Sequence, residues 1–161
     1  MTCKQLIKVD STLQTMSVFN DDILVYTYPI STGKNGMGEQ MDSGCTPRGW
    51  HCVHDIIGFE NEINSVFVGR VWTGDIYTEA MARDYPGRDW ILTRIIQLDG
   101  LEPGKNKGGD VDSLSRYIYI HGTSNITSLG TPNSMGCIRM DNNDIIELAD
   151  WLEVGSKVFI C

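Results

Sequence analysis

The sequence is poor in positive charge, with 13 Lys and Arg residues against 21 Asp and Glu residues and a net charge of -8. A chain with this balance repels a phosphate backbone, so we expect no nucleic-acid partner. The sequence also lacks any run of about 18 apolar residues, which is the length a membrane-crossing helix needs. It therefore predicts no transmembrane segment.

The opening residues do not predict a secretory leader, because Met1–Leu6 has no long apolar core and leads directly into a β-prone segment. Either a leader has been removed or the chain is not exported by that route. The cysteines have no repeating spacing, which speaks against a disulfide framework. Their number is odd, so at least one thiol is free or pairs between chains: Cys3, Cys45, Cys52, Cys137 and Cys161.

The length allows one domain with a core of its own. A chain of 161 residues buries about two-thirds of its unfolded surface on folding, so it needs no metal or disulfide for stability. We therefore predict a single domain over residues 1–161.

Short segments rich in β-branched and aromatic residues recur along the chain, and Gly, Pro or Asp bounds many of them. They predict a mostly β fold whose first three strands form an antiparallel meander. The predicted strands are Leu6–Val9, Met16–Phe19, Ile23–Ile30, Gly49–Ile57, Ser65–Trp72, Trp90–Leu98, Arg116–Ile120 and Lys157–Ile160.

One segment near the C-terminus has helical periodicity instead. Its apolar residues follow the i, i+3, i+4, i+7 spacing of one helix face: Ile145, Leu148, Ala149 and Leu152. We predict one short helix here, with Asp144 and Glu147 as a capping pair and Gly155 at its end.

Two Gly-rich, polar segments are predicted to be loops. Ser31–Pro47 is long and has no apolar period, and long ordered loops in compact domains tend to be functional, so it is a candidate wall of a site. Pro103–Asp110 lacks the Gly-Lys-Ser/Thr ending of a phosphate-binding loop and is predicted to lie on the surface.

Candidate catalytic residues are concentrated between Tyr117 and Met140. A β-prone run ends in His121, and a polar loop then leads back to Cys137. A hairpin-like return would place the thiol and the imidazole about 3 to 4 Å apart. A thiol with a pKa near about 8.5 is mostly protonated at neutral pH, so it needs a base to become a nucleophile. We predict Cys137 as the nucleophile and His121 as that base, although on composition alone a free cysteine is more often a small buried apolar group.

Two glycines flank this pair. The carbonyl of Gly122 or of a neighbour is placed to hold the imidazole ring. Gly136 removes a side chain from a tight turn, which would let the backbone amides of Gly136 and Cys137 form an oxyanion hole. Loss of one such donor typically costs about 3 kcal/mol of transition-state stabilisation.

The stretches around His121 and Cys137, Ile-His-Gly-Thr at 120–123 and Ser-Met-Gly-Cys-Ile-Arg at 134–139, resemble the catalytic signature of the L,D-transpeptidase (YkuD-like) domain family. Further matches follow in order along the chain: Tyr28–Gly33 resembles the family's early strand and turn, Thr46–Gly49 its Thr-Pro-x-Gly element, and Gly155–Ile160 its closing strand. Several ordered matches are far more specific than one cysteine and one histidine.

The resemblance implies an L,D-transpeptidase-like β-sandwich or barrel that acts on peptidoglycan stem peptides in the cell envelope or periplasm. It implies no metal and no organic cofactor, and it makes the protein a carbapenem target. In this reading Cys137 attacks the carbonyl of the third stem residue, commonly diaminopimelate, and expels the terminal D-alanine. The acyl group then passes to an amine of another stem, to a protein lysine or to water, with His121 as base and then acid and the Gly122 carbonyl holding its ring.

Two alternatives stay open at this point. An L,D-carboxypeptidase would use the same acyl-enzyme and pass it to water. An inactive cell-wall-binding module is suggested by Met135, which stands where the family usually has a second histidine. A methionine cannot carry a proton or donate a hydrogen bond, so any such contribution to substrate binding or thiolate stabilisation is lost.

Three further residues are candidates for substrate binding. Arg139 either binds a stem-peptide carboxylate or pairs with a neighbouring Asp. Ser134 either touches substrate or simply occupies the turn. Tyr119 lies two positions before His121 and shares its strand face, so it either lies near the site or packs in the core.

One group of four residues could suggest a zinc site by its residue types alone. It contains Cys45, His51, Cys52 and His54. If Gly49–Ile57 is a strand, His51 points away from Cys52 and His54, so no tetrahedral set results and we predict no metal site.

Overall fold

The computed structural model describes residues 4–161, which form ten strands and two α-helices. Two short 3₁₀ turns lie at Gly109–Val111 and Ile126–Ser128. The strands are β1 (Gln5–Asp10), β2 (Thr15–Asn20), β3 (Ile23–Ser31), β4 (Gly49–Ile57), β5 (Ser65–Val68), β6 (Val71–Ile76), β7 (Ile91–Gly100), β8 (Tyr119–Gly122), β9 (Ile138–Met140) and β10 (Lys157–Ile160), and the helices are α1 (Glu79–Asp84) and α2 (Asn142–Trp151).

The sheet closes on itself. Neighbouring strands run in the order β4-β10-β1-β2-β3-β9-β8-β7, and β4 also pairs with β7, which completes a barrel. Strands β5 and β6 form a hairpin that joins this barrel through β7. The β1–β10 and β8–β9 pairs are parallel, whereas the other pairs are antiparallel. The predicted β-sandwich or barrel is confirmed.

The barrel interior is filled by alternate strand residues and by one face of α2. Ile7 and Val9 point inward from β1, and Ile145, Leu148 and Ala149 join the same cluster from α2. Truncating a fully buried leucine such as Leu148 typically costs about 2–5 kcal/mol, so this face attaches α2 firmly to the barrel. No helix within residues 4–161 is long and apolar enough to cross a bilayer.

Many predicted elements are confirmed. The first three strands form the predicted antiparallel meander, and Gly49–Ile57 and Lys157–Ile160 are strands with the predicted bounds. Residues 32–47 form a long loop, as predicted apart from Ser31, which ends β3. The four cysteines within residues 4–161 are free, and Cys3 lies outside the described residues.

The prediction of one strand over Ser65–Trp72 is wrong. This segment bends back as the β5–β6 hairpin, with a two-residue turn at Gly69 and Arg70 whose φ angles are 56° and 68°. Positive φ at both turn residues matches the twist of the two strands, which is why such tight turns are favoured. The usual Asn-Gly or Asp-Gly turn sequence is missing here, so the apolar and β-branched pattern alone predicted one continuous strand.

The strand that carries His121 begins later than predicted. Arg116–Ile120 was expected to be a strand, but β8 starts at Tyr119. Tyr117 has a φ of 58°, in the left-handed region, and this conformation interrupts extended backbone. Arg116 therefore belongs to the preceding loop.

The helix caps also differ from the prediction. Asp141 caps α2, because its side chain accepts hydrogen bonds from the backbone N–H groups of Asn143 (2.8 Å) and Asp144 (3.2 Å). Glu147 accepts instead from the Tyr28 hydroxyl at 2.8 Å. The six-residue helix α1 was not predicted, since it is too short to show an apolar period.

Candidate active site

The parallel pairing of β8 and β9 brings the two signature stretches side by side. Ile120 lies opposite Ile138, and His121 lies opposite Arg139. Side chains alternate between faces along a strand, so His121 and Arg139 share one face while Ile120 and Ile138 fill the core. Cys137 directly precedes β9.

His121 is fully buried and held in one orientation. Its Nδ1 lies 2.6 Å from the Gly122 carbonyl oxygen, and its Nε2 has no hydrogen-bond partner within residues 4–161. A carbonyl can only accept, so Nδ1 carries the proton and Nε2 keeps its lone pair. Burial lowers the pKa of His121, although the charge of Asp89 opposes this effect. The ring is therefore a neutral base with an unused acceptor atom.

The peptide group that holds the imidazole is itself fixed. Gly122 supplies the carbonyl, and the N–H of the same peptide, from Thr123, donates to the Met140 carbonyl at 3.1 Å. A Cβ on Gly122 would collide with Asn142 Oδ1 and lie 2.7 Å from the Leu92 carbonyl oxygen. The site therefore requires glycine at position 122 for close packing.

A buried polar network lies beneath this peptide. Asn142 Nδ2 donates to the Thr123 carbonyl at 2.9 Å and to Asn64 Oδ1 at 3.2 Å, and Asn142 Oδ1 accepts from the Thr93 hydroxyl at 2.7 Å. Thr93 has a φ of 75°, a strained value for a β-branched residue that typically costs about 1–3 kcal/mol. The network helps to hold this strained bulge against the end of β8.

Asn142 was not found by sequence reasoning, although a signal was present. It lies three residues before Ile145 and so falls on the apolar face of the helix. A polar residue on the buried face of a helix must find hydrogen-bond partners. That requirement points to a polar contact at the start of α2.

The sulfur of Cys137 is partly buried and contacts the loop before β8. Its Sγ lies 3.3 Å from the Tyr117 carbonyl oxygen, to which the thiol donates, and it accepts from the Tyr119 N–H at 3.4 Å. The predicted resting hydrogen bond between the thiol and the imidazole is absent from these contacts, because the thiol uses the Tyr117 carbonyl instead. His121 Nε2 is buried and makes no hydrogen bond within residues 4–161, so its lone pair is unused in the resting site.

Burial keeps the thiol neutral. Loss of solvation raises the pKa of Cys137 to about 12, and Asp89 adds to this rise, while the Tyr119 N–H, Arg139 and Arg116 favour the thiolate. The resting pair is therefore a neutral thiol and a neutral imidazole. A reaction at this sulfur needs a base that takes the proton as the new bond forms.

In the turn before Cys137, the backbone of Gly136 lies close to the backbone of Cys45. Gly136 has a φ of 124°, and a Cβ there would lie 3.0 Å from the Cys45 carbonyl oxygen. Ser134 Oγ accepts from the Gly136 N–H at 3.1 Å and donates to the Cys137 carbonyl at 2.5 Å. In this resting arrangement the Gly136 N–H, predicted as an oxyanion-hole donor, is occupied by Ser134.

The long loop after β3 forms one wall of a cleft over the sulfur. Thr46 Oγ1 donates to the Gly136 carbonyl at 2.8 Å, which ties this loop to the turn. Arg116 donates to the Cys45 carbonyl at 2.7 Å and to the Glu39 carbonyl at 3.1 Å. The cleft has a volume of about 310 Å³ and is lined by Met41, Asp42, Gly44, Arg116, Ile118, Met135 and Cys137.

The three candidate substrate-binding residues have different surroundings. Arg139 pairs with Asp89 at 2.5 Å and also donates to the Asn133 carbonyl at 3.2 Å. Ser134 braces the turn, as described above. Tyr119 is buried in a small cluster with Phe67, and Cys137 packs against the same cluster. Burial raises the pKa of Tyr119 to about 12.

The residues considered as metal ligands are dispersed. His51 is buried, and its Nδ1 and Nε2 lie 3.1 Å from the Gly49 carbonyl oxygen and 2.8 Å from Ser113 Oγ. Cys52 is half-buried and His54 is exposed, in the alternating pattern of a strand. Over residues 4–161, no three His, Cys, Asp or Glu side chains lie close enough together to hold a metal ion.

Comparison with known proteins identifies the family of the chain. The family model of the L,D-transpeptidase catalytic domain (YkuD) matches residues 4–160. The chain therefore belongs to this family of catalytic domains. This assignment confirms the resemblance that the two signature stretches indicated.

Individual relatives cover parts of the chain to different extents. A Bacillus subtilis protein named as the L,D-transpeptidase YkuD is 49% identical over 59 residues, which is 36% of this chain and 36% of that protein. A Salmonella typhimurium protein named as the L,D-transpeptidase ErfK/SrfK is 28% identical over 98% of this chain and 47% of that protein. The matches thus span less than half of either relative's length.

Solved structures share the fold. L,D-transpeptidase 3 from Mycobacterium tuberculosis, in complex with a faropenem-derived adduct, has a TM-score of 0.60 and 17% identity, and the match covers 98% of this chain and 60% of that one. At this identity the likeness establishes the fold alone.

Proposed function

We infer that the protein is a peptidoglycan L,D-transpeptidase that uses Cys137 as its nucleophile and His121 as its general base. The observation that carries this proposal is the buried His121, whose Nδ1 is fixed by Gly122 while Nε2 has no partner. A structural histidine in a barrel core would have both nitrogens satisfied. An open acceptor atom on the face shared with the cysteine turn suits a base that waits for a proton.

The acylation step follows from these positions. As the Cys137 sulfur attacks the carbonyl carbon of the third stem residue, its proton passes to His121 Nε2 and the carbonyl oxygen gains negative charge. The bond to the terminal D-alanine then breaks, and the leaving amine takes the proton from Nε2. The product is a thioester between Cys137 and the stem peptide, with released D-alanine.

The second half reverses the proton path. An acceptor amine attacks the thioester carbonyl, gives a proton to His121 Nε2, and restores the Cys137 thiol as the new amide forms. We assign the Cys137 N–H to the oxyanion hole, and Gly136 N–H joins it only if the Ser134 hydroxyl releases it. Each lost donor of this kind typically costs about 3 kcal/mol.

The remaining assignments are less direct. Arg139 keeps Asp89 neutralised beside His121, so we assign it first to this pair and only then to a stem-peptide carboxylate. We assign Tyr119 to positioning the sulfur, because Cys137 packs against its cluster and accepts from its N–H. We place the site of action in the cell envelope, where the proposed substrate lies, and we propose residues 1–161 as a single catalytic domain.

Intact-mass spectrometry tests the proposal. The folded protein is incubated with faropenem, with a carbapenem and with a stem tetrapeptide, beside the Cys137→Ala variant. We expect one covalent adduct with each β-lactam and D-alanine release from the tetrapeptide, both lost in the variant. A folded protein that gains no mass and releases no D-alanine would refute the enzyme assignment and favour an inactive module.

An added amine then separates the two enzymatic alternatives. We expect a new amide product that grows with amine concentration at the expense of the hydrolysed tripeptide. Tripeptide alone at every amine concentration would identify an L,D-carboxypeptidase instead.

A further inference from the structure

The β5–β6 hairpin is anchored in the small cluster against which Cys137 packs. Phe67 of β5 packs in the same small cluster as Tyr119, and Cys137 packs against that cluster. The turn at Gly69 and Arg70 follows two residues after Phe67. The anchor residue thus brings the tip of the hairpin to the edge of the candidate active site.

Arg70 at this tip reaches across to the loop before β8. Its guanidinium carbon lies 5.0 Å from the centre of the Tyr117 ring. The carbonyl of the same Tyr117 accepts the hydrogen bond from Cys137 Sγ at 3.3 Å. Both Arg70 and Cys137 also influence the ionisation of the Tyr119 hydroxyl, so both act on one small region.

The charge of Arg70 is not neutralised within the described part of the chain. Arg139 pairs with Asp89 and Arg48 with Glu39, but no carboxylate within residues 4–161 forms an ion pair with Arg70. The two charged residues that line the cleft, Arg116 and Asp42, carry opposite charges. In a chain with a net charge of -8, this leaves an exposed cation without an ion pair, and it lies over the residue whose carbonyl accepts from the Cys137 thiol.

The geometry of a stacked guanidinium suits one kind of ligand. A guanidinium that lies over an aromatic ring keeps its in-plane N–H donors free, and these donors match the two oxygens of a carboxylate. Tyr117 holds the side chain over its ring, and the positive φ of Arg70 is set by the turn. The donor fork is therefore partly pre-oriented.

We propose that Arg70 is a specificity-determining residue that binds the free side-chain carboxylate of the third residue of the acyl donor, whose backbone carbonyl Cys137 attacks. The assignment rests on the proposed function. It predicts a preference for donors whose third residue carries an ionised side-chain carboxylate, as in diaminopimelate, over donors in which this group is amidated.

The test compares two tetrapeptides that differ only in this group. D-alanine release gives kcat and KM for the free-acid donor and for the amidated donor, with wild type, Arg70→Gln and Arg70→Lys. We expect Arg70→Gln to lower the ratio of kcat/KM between the two donors about tenfold, mainly through KM, because a charge-assisted hydrogen bond is lost. Arg70→Lys should restore part of the ratio, since it keeps the charge without the fork.

Arg88 offers a matched control. Its guanidinium also lies over an aromatic ring, 4.2 Å from the centre of Trp90, but Trp90 packs with Val66 and Leu92 and not in the cluster that Cys137 contacts. Arg88→Gln should leave the donor ratio at the wild-type value. The KM of the acceptor amine, measured in the same variants, shows whether the carboxylate belongs to the acceptor.

The outcomes are distinct. An unchanged donor ratio in Arg70→Gln, an equal fall in Arg88→Gln, or a change confined to the acceptor KM would overturn the assignment of Arg70. Failure of the folded wild type to release D-alanine from either tetrapeptide would instead overturn the proposed function.

Discussion

The two buried histidines of the barrel differ in one hydrogen bond. His51 on β4 and His121 on β8 are both fully buried, and in each the Nδ1 faces a backbone carbonyl. His51 Nε2 bonds to Ser113 Oγ at 2.8 Å, whereas His121 Nε2 has no partner in the described chain. A histidine with both nitrogens hydrogen-bonded stabilises the fold, whereas a buried nitrogen without a partner is destabilising and marks a candidate functional residue.

The largest effect on the acylation rate is expected at His121. We compare the same substitution at both histidines, because glutamine cannot act as a base. His121→Gln should slow acylation by faropenem at least about 100-fold, which is the usual contribution of a general base. His51→Gln should leave the acylation rate of the folded protein within about twofold and lower its free energy of unfolding by about 1–3 kcal/mol, since Ser113 loses its partner. Mass spectrometry and urea denaturation measure the two quantities. Equal loss of acylation in both variants would contradict this distinction.

The network under Gly122 should have the next largest effect. Asn142→Ala removes the bonds to Thr123 and Thr93, so we expect kcat to fall about tenfold with little change in KM, and stability to fall by about 1–3 kcal/mol. Asn143→Ala changes the neighbouring, exposed residue of the same helix and serves as the control. Steady-state release of D-alanine gives kcat and KM for both variants. A change in KM alone would argue against a role in holding the His121 peptide.

The comparison also predicts how stability depends on pH. Burial lowers the pKa of both His51 and His121, so the folded state keeps them neutral while the unfolded chain binds protons below about pH 6.5. The unfolded state then binds more protons, and the free energy of unfolding falls as the pH drops through this value. Either His→Gln variant should make the acid decline shallower. Urea denaturation at several pH values between 5 and 7 measures this decline. An unchanged dependence of the free energy of unfolding on pH in the variants would contradict the lowered pKa values of the two histidines.

At alkaline pH the Cys137 thiol should make the free energy of unfolding fall as the pH rises. The pKa of Cys137 is raised to about 12 in the fold, whereas an unfolded thiol ionises near about 8.5. The folded state keeps the proton that the unfolded chain loses, so stability declines as the pH rises above about 8.5. Cys137→Ala should remove part of this decline. Cys52→Ala, whose thiol is also desolvated, is the comparison variant.

The smallest effect is expected at Met135. Its side chain is 71% exposed at the rim of the cleft, and exposed substitutions usually change free energies by no more than about 0.5 kcal/mol. Met135→His should therefore change the acylation rate by about twofold or less. A tenfold gain would show that the missing histidine limits this chain.

Local pattern was enough for several parts of the fold and the site. Alternation and β-branched composition predicted β1 to β4 and β10, and the period of Ile145, Leu148 and Ala149 predicted α2. The turn at Gly69 and Arg70 was missed because its residues are not the common ones for a tight hairpin. Short elements such as α1 carry too little periodic signal.

The sequence by itself determined the mostly β composition, the family, and the residue types at positions 121, 122, 136 and 137. Only the tertiary structure decided that His121 Nε2 has no partner in the described chain, that Arg139 pairs with Asp89, and that Arg70 lies over the Tyr117 ring. The physical reason is that periodicity reports which face of an element is buried. Hydrogen-bond partners and charge neighbours come from strands and loops far apart in sequence, so they exist only once the barrel closes.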